Sequence, residues 1–307
     1  MAASKFRQKI RIYRGWFNLY FVRMIIGTFA RIYFGNDAGF RENRIGSLSV
    51  KKSAAVAKTD YTMDKRANFL KEFAYLELGY PHNAELIQTI KKAFGSKIQE
   101  KEILGEADSN SVSPALLHIP ELKKLLNQEV VNLVRSYYNG GNFRIIEVNA
   151  WRNYYWGARG LKKDIVSNLP HNDFSRTDKL RIFVFLSDGV TKTNGATKIF
   201  PRTISKKIMR SGYFNRNLIL WPASKLIKKK EFVHFMEGDT GFSFAFNPQL
   251  ALHQAGLVAE GKNRDAICFT FVSSEDPLSP LWDQEIIEME SRYAEKIGMN
   301  VKKKTSK

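Results

Sequence analysis

The strongest periodicity in the chain lies between Pro120 and Gly141. Leu122, Leu125, Leu126, Val130, Leu133, Val134 and Tyr137 recur at three- and four-residue spacing, as on a helix with one apolar face. Pro120 suits its first turn, and Gly140 with Gly141 ends it. Upstream, residues 63–73 (MDKRANFLKEF) predict a short helix and AYLELGY alternates as a strand does. Asn83 can cap a helix through about Phe94, with Glu85 in its first turn. From residue 143 the texture changes to short apolar runs between turns, at 143–151, 180–188, 195–200, 241–247 and 265–273. Strands at this density, without helices between them, predict an antiparallel sandwich or barrel. Trp282 to Lys296 reads as a final helix rich in Glu and Ile, and no internal repeat is visible.

The first 60 residues are different. Residues 5–34 place Arg and Lys among many aromatics in a helical pattern. That is the composition of an interfacial amphipathic helix, and equally of a helix packed on the protein's own body or on a second subunit. Residues 35–60 are small, polar and basic, as in a linker. The expected organisation is a basic aromatic extension and linker over 1–60, a mainly β domain with flanking helices over 61–280, and a C-terminal helix with a basic tail over 281–307.

Composition bounds the function. With 44% apolar and 26% charged residues in 307, the chain can build a core, and disorder is excluded for most of it. One cysteine, Cys268, excludes a disulfide framework and a cysteine-based zinc site, and points to a reducing compartment. The most apolar stretch, Trp16 to Phe34, is interrupted by Arg23 and Arg31, so no span of about 20 apolar residues exists. No secretory signal is visible, and a cytoplasmic protein is expected.

The net charge of +19 is concentrated. Residues 1–58 carry 12 Lys/Arg against 2 Asp/Glu, residues 202–230 carry 9 against none, and residues 301–307 add 4 more. The rest of the chain is mildly acidic, so the basicity belongs to attachments. The surplus predicts an anionic substrate or peripheral contact with an anionic membrane. The absence of an RNP-like strand, zinc finger or basic zipper argues against nucleic acid.

The chemistry lies between Pro170 and Val272. LPHNDF places His171 and Asp173 two residues apart, and on extended backbone such residues face the same side. His253 follows in GDTGFSFAFNPQLALHQAG, after a predicted strand. Two histidines and one carboxylate form the facial triad of non-haem Fe(II) oxygenases. Three coordination positions remain, enough for a bidentate 2-oxo acid and O₂. Arg264, eleven residues after His253, can clamp the far carboxylate of a 2-oxo diacid through two parallel hydrogen bonds. Cys268 reads as core packing, and His82, His118 and His234 as structural. Trp151, Tyr154, Tyr155 and Trp156 are candidates for a pocket wall or for the core.

The ordered set PHND, RIFVFLSDG, TNGATKIFP, GDTGFSFAFNPQLALHQAG and then Arg264 resembles the phytanoyl-CoA dioxygenase-like family of Fe(II)/2-oxoglutarate oxygenases. The resemblance covers roughly residues 63–275 and leaves residues 1–60, the insertion 202–230 and the tail outside. It implies a double-stranded β-helix, or jelly roll. It makes His171, Asp173 and His253 the iron ligands and Arg264 the partner of the 2-oxoglutarate C5 carboxylate. Asn153 matches an Asn that contacts 2-oxoglutarate in the related ectoine hydroxylases. Ala255 stands where the family often has a small hydroxyl residue, and PRTISKK lacks a frequent His, so substrate contacts differ. The implied reaction is hydroxylation of a small-molecule or lipid-linked substrate. The alternatives are a non-catalytic jelly-roll scaffold and a cupin-like enzyme that does not use 2-oxoglutarate.

Overall fold

The computed structural model describes residues 63–99, 109–155, 169–173, 178–214, 218–219 and 221–296. The expected amphipathic helix 5–34, the linker 35–60, Trp156 and the basic tail lie outside the described residues.

Two antiparallel sheets carry the site. The larger has the order β1-β9-β4-β11-β3-β2, with β1 Tyr75–Gly79, β2 Ser109–Val112, β3 Phe143–Tyr154, β4 Leu180–Phe185, β9 Ser243–Phe246 and β11 Asn263–Ser273. The smaller has the order β10-β5-β8, with β5 Thr197–Phe200, β8 His234–Met236 and β10 Leu252–Gln254, and β6 Tyr213–Phe214 pairs with β7 Leu218–Ile219 in a separate two-stranded ribbon. This mainly antiparallel architecture with flanking helices is a jelly roll, the form of sandwich that the family resemblance implies.

The period-two pattern sorts the side chains. On β4, Leu180, Ile182 and Val184 join the helix-side cluster with Leu70, Ile90, Phe94, Leu133 and Val134. Their neighbours Phe183 and Phe185 face the other way and pack with Phe244, Phe246, Ile199, Met236, Ala266 and Cys268. The first cluster fastens helices to the outside of the large sheet. The second fills the space between the two sheets, where the polar residues of interest converge. Each fully buried aromatic side chain contributes about 1.5–3 kcal/mol.

One sequence expectation needs correction. The helix expected to run from Pro120 to Gly140 is broken into a 3₁₀ segment, Pro120–Leu125, and an α-helix, Gln128–Tyr137. Asn127 is the reason: its side chain accepts the Val130 N–H at 3.0 Å and donates to the Pro81 carbonyl at 3.0 Å, which caps a new helix. His253 follows β9, as expected, and itself stands at the centre of a further short strand, β10, opposite Ile199. The basic insertion is folded: it holds helices Arg202–Arg210 and Trp221–Ile227. Ile208, Tyr213 and Ala223 give it a small core against Phe200 and Leu252.

The C-terminal helix Trp282–Lys296 matches its expected span and docks on β3. Glu290 accepts the Val148 N–H at 3.3 Å, while its second oxygen is buried without a partner. Burial pushes this carboxyl up from 4.5 to about 7. Between those values the folded state holds a proton that the unfolded chain releases. The stability this provides is complete below pH 4.5 and is lost as pH rises through 7. Glu290→Gln should raise the melting temperature by about 2–4 °C at pH 8 and leave it unchanged at pH 4. An equal shift at both pH values would rule out this origin.

Candidate metal centre

His171 and His253 are brought together by backbone pairing. The His171 N–H donates to the His253 carbonyl at 2.8 Å, and the His253 N–H donates back at 2.7 Å. Their rings lie 4.2 Å apart between centroids, and both residues are buried. Asp173 is held by its own N–H, which donates to the Pro248 carbonyl at 2.8 Å. Asn172, between the two, turns the other way and donates to the Gln249 carbonyl at 3.3 Å. The alternation expected of His-x-Asp is therefore realised, and one donor atom from each of His171, Asp173 and His253 lies within 4.8 Å of the others.

The ring tautomers follow from hydrogen bonding. His171 Nδ1 sits 2.9 Å from the Leu169 carbonyl, and His253 Nδ1 sits 3.2 Å from the Ala251 carbonyl. A carbonyl only accepts, so each Nδ1 carries a proton, and Nε2 is the ring atom left to serve as a metal donor. His253 Nε2 faces Asp173 Oδ1 at 3.9 Å, beyond hydrogen-bond range. The donor set of two imidazoles and one carboxylate fits a divalent first-row metal.

Arg264 lies on the same inner face. The β11–β3 register sets it opposite Asn153, and its Nη2 donates to Asn153 Oδ1 at 2.7 Å. Its Nη1 donates to the Gly195 carbonyl and, at 3.4 Å, to Thr197 Oγ1. Gly195 has φ +80°, and a side chain there would press on the Arg264 stem at 3.2 Å, so glycine suits both the turn and the clearance. The next residue, Asp265, faces outward and is gripped by Arg152 through two 2.7 Å bonds. Arg264 is thus left with neutral acceptors only. Its Nε is buried without a partner, no described carboxylate pairs with it, and burial lowers its pKa to about 10. A buried guanidinium in this state favours an anion beside it.

Other expected residues sort clearly. Trp151 points inward, donates to Asn153 Oδ1 at 2.8 Å and meets Phe183 edge-on at 5.5 Å. Tyr154 lies near Asn110, and Tyr155 is exposed, so neither faces the metal site. Cys268 is buried on β11, and burial pushes its thiol up to about 12, which suits packing. His82 is held neutral, with its pKa lowered to about 4 by burial, and His234 pairs with Glu77 at 2.8 Å on the surface. Sequence reading missed Arg181, whose Nη2 meets Asp173 Oδ2 at 2.9 Å. The available signal was a lone charge at the head of the apolar strand RIFVFL.

No protein-family model matches the chain, and no curated protein sequence does. Solved structures share the fold. HygX from Streptomyces hygroscopicus, with nickel and 2-oxoglutarate bound, superposes with a TM-score of 0.50 at 12% identity, over 69% of this chain and 88% of that one. The α-ketoglutarate-dependent epimerase SnoN of nogalamycin biosynthesis gives 0.48 at 13%, over 67% and 79%. EctD from S. alaskensis in its apo form gives 0.48 at 13%, over 71% and 80%.

Proposed function

We propose that this chain is an Fe(II)- and 2-oxoglutarate-dependent dioxygenase of the phytanoyl-CoA dioxygenase-like kind, hydroxylating an unactivated C–H bond with release of succinate and CO₂. The observation that carries the proposal is the convergence of His171, Asp173 and His253, with one donor atom of each within 4.8 Å of the others. The uncompensated Arg264 supports the co-substrate half, because a scaffold protein has no use for a buried cation without an anion. A cupin-like enzyme without 2-oxoglutarate would leave the same cation unexplained. The solved HygX structure, with metal and 2-oxoglutarate in this fold, agrees with the reading.

The protein's own part is binding, orientation and exclusion of water. His171, His253 and Asp173 would hold the ferrous ion through Nε2, Nε2 and Oδ1. Arg264, steadied by Asn153 and Thr197, would hold the C5 carboxylate of 2-oxoglutarate. Trp151, Phe183 and Phe246 close the inner face against water. When bound, iron and 2-oxoglutarate supply the oxidising chemistry toward O₂ and the C–H bond.

Anaerobic addition of Fe(II) and 2-oxoglutarate tests this directly. A metal-to-ligand charge-transfer band in the visible is expected, and its absence would favour the scaffold. For the substrate, the insertion supports an anionic compound, small or lipid-linked. Its two helices carry Arg202, Lys206, Lys207, Arg210 and Lys225, and they pack beside Leu252, the chain neighbour of His253. Substrate-dependent succinate release should therefore favour anionic compounds, in solution or in anionic vesicles, and weaken at high salt.

A further inference from the structure

We infer that Arg181 is a positioning residue of the metal centre, acting through Asp173 to fix which carboxylate oxygen meets the metal. This rests on the metal reading above and extends it to a residue outside the donor set.

Arg181 is the second residue of β4, on the face it shares with Phe183 and Phe185. The register places it between Thr270 of β11 and Phe246 of β9. That row lies under the site. Phe246 packs edge-on against the His253 ring at 4.9 Å, and Arg181 Nη2 holds Asp173 Oδ2 at 2.9 Å. Two adjacent members of one row thus support two of the three donors. Thr270 points its hydroxyl at Glu147, at 3.1 Å, and leaves the guanidinium to Asp173.

The consequence is geometric. The Asp173 side chain is 20% exposed and that of Arg181 24%, so the bond is largely out of water and is not a loose surface pair. With Oδ2 engaged, Oδ1 is the oxygen left toward His253 Nε2. A carboxylate held this way presents one donor atom, and three positions of an octahedral metal stay available to other ligands. The Asp173 N–H bond to Pro248 fixes the backbone, while Arg181 fixes the rotamer. Partners behind a metal ligand commonly contribute 10–100-fold in metal affinity.

The test is a Ni(II) titration of the full chain against a competing chelator. Arg181→Gln should weaken Ni(II) binding by about 10–100-fold, and Arg181→Lys should recover part of the loss. In an Asp173→Ala background, Arg181→Gln should cause no further loss, because its route to the metal is gone. A purely structural role would lower the melting temperature of the metal-free protein without this dependence on Asp173. Wild-type affinity in Arg181→Gln, or independent losses that multiply in the double variant, would overturn the inference. If Arg181→Gln does not fold, the Arg181→Lys and Arg181→Met pair is read in the same way. A wild-type chain that binds no Ni(II) would instead remove the metal reading itself.

Discussion

Replacing His171 with alanine should reduce 2-oxoglutarate turnover by about three orders of magnitude or more, because a two-donor site cannot hold the metal that carries the chemistry. The loss should appear first in the binding titration, before any kinetic measurement. The His171 ring is held by a hydrogen bond to the Leu169 carbonyl, while the strand-like pairing with His253 uses backbone atoms that alanine keeps. The variant should therefore fold with its local register intact. Full turnover, measured as succinate formed, would refute the metal assignment, and unchanged Ni(II) affinity would refute it independently.

The second large effect concerns Arg264. Arg264→Ala should raise the apparent dissociation constant for 2-oxoglutarate by at least about 100-fold, as expected for removing one partner of a buried, charge-assisted pair. Titration of the charge-transfer band reads it. The discriminating control is 2-oxobutyrate, which keeps the oxo-acid end and lacks the distal carboxylate. Wild type should strongly prefer 2-oxoglutarate, and Arg264→Ala should lose that preference. If the variant keeps it, the C5 carboxylate is held elsewhere. Arg264→Lys should fall between the two, because an ammonium offers one charge without the planar fork. Asn153→Ala acts in the same direction but less strongly, since Asn153 steadies the guanidinium with a single 2.7 Å bond.

The two predictions divide the site into a metal half and an anion half, and the halves differ in how legible they are. The metal half is written locally. His171 and Asp173 are two residues apart, and extended backbone alone puts them on one side. Arg264 is legible by its distance from His253 along the chain, but its need for an anion is not. Asp265 is its immediate neighbour and looks like a ready counter-ion. Pairing β11 with β3 turns Asp265 outward to Arg152 and Arg264 inward to Asn153. The meaning of the charge depends on register.

The strand-rich region from residue 143, the final helix and the amphipathic face of 122–137 follow from periodicity, because burial of one face rewards the same spacing wherever the chain goes. The His-x-Asp, His and Arg set is likewise readable from residue order, and the resemblance carried by that order implies the jelly roll. Tertiary structure alone decided the break at Asn127, the placing of His253 within β10 and the folding of the basic insertion. It also decided the link between Arg181 and Asp173. Each of these depends on a hydrogen bond or packing contact between segments far apart in the chain, or on a cap competing with a helix. Local propensity carries no information about which distant partner a polar group will find.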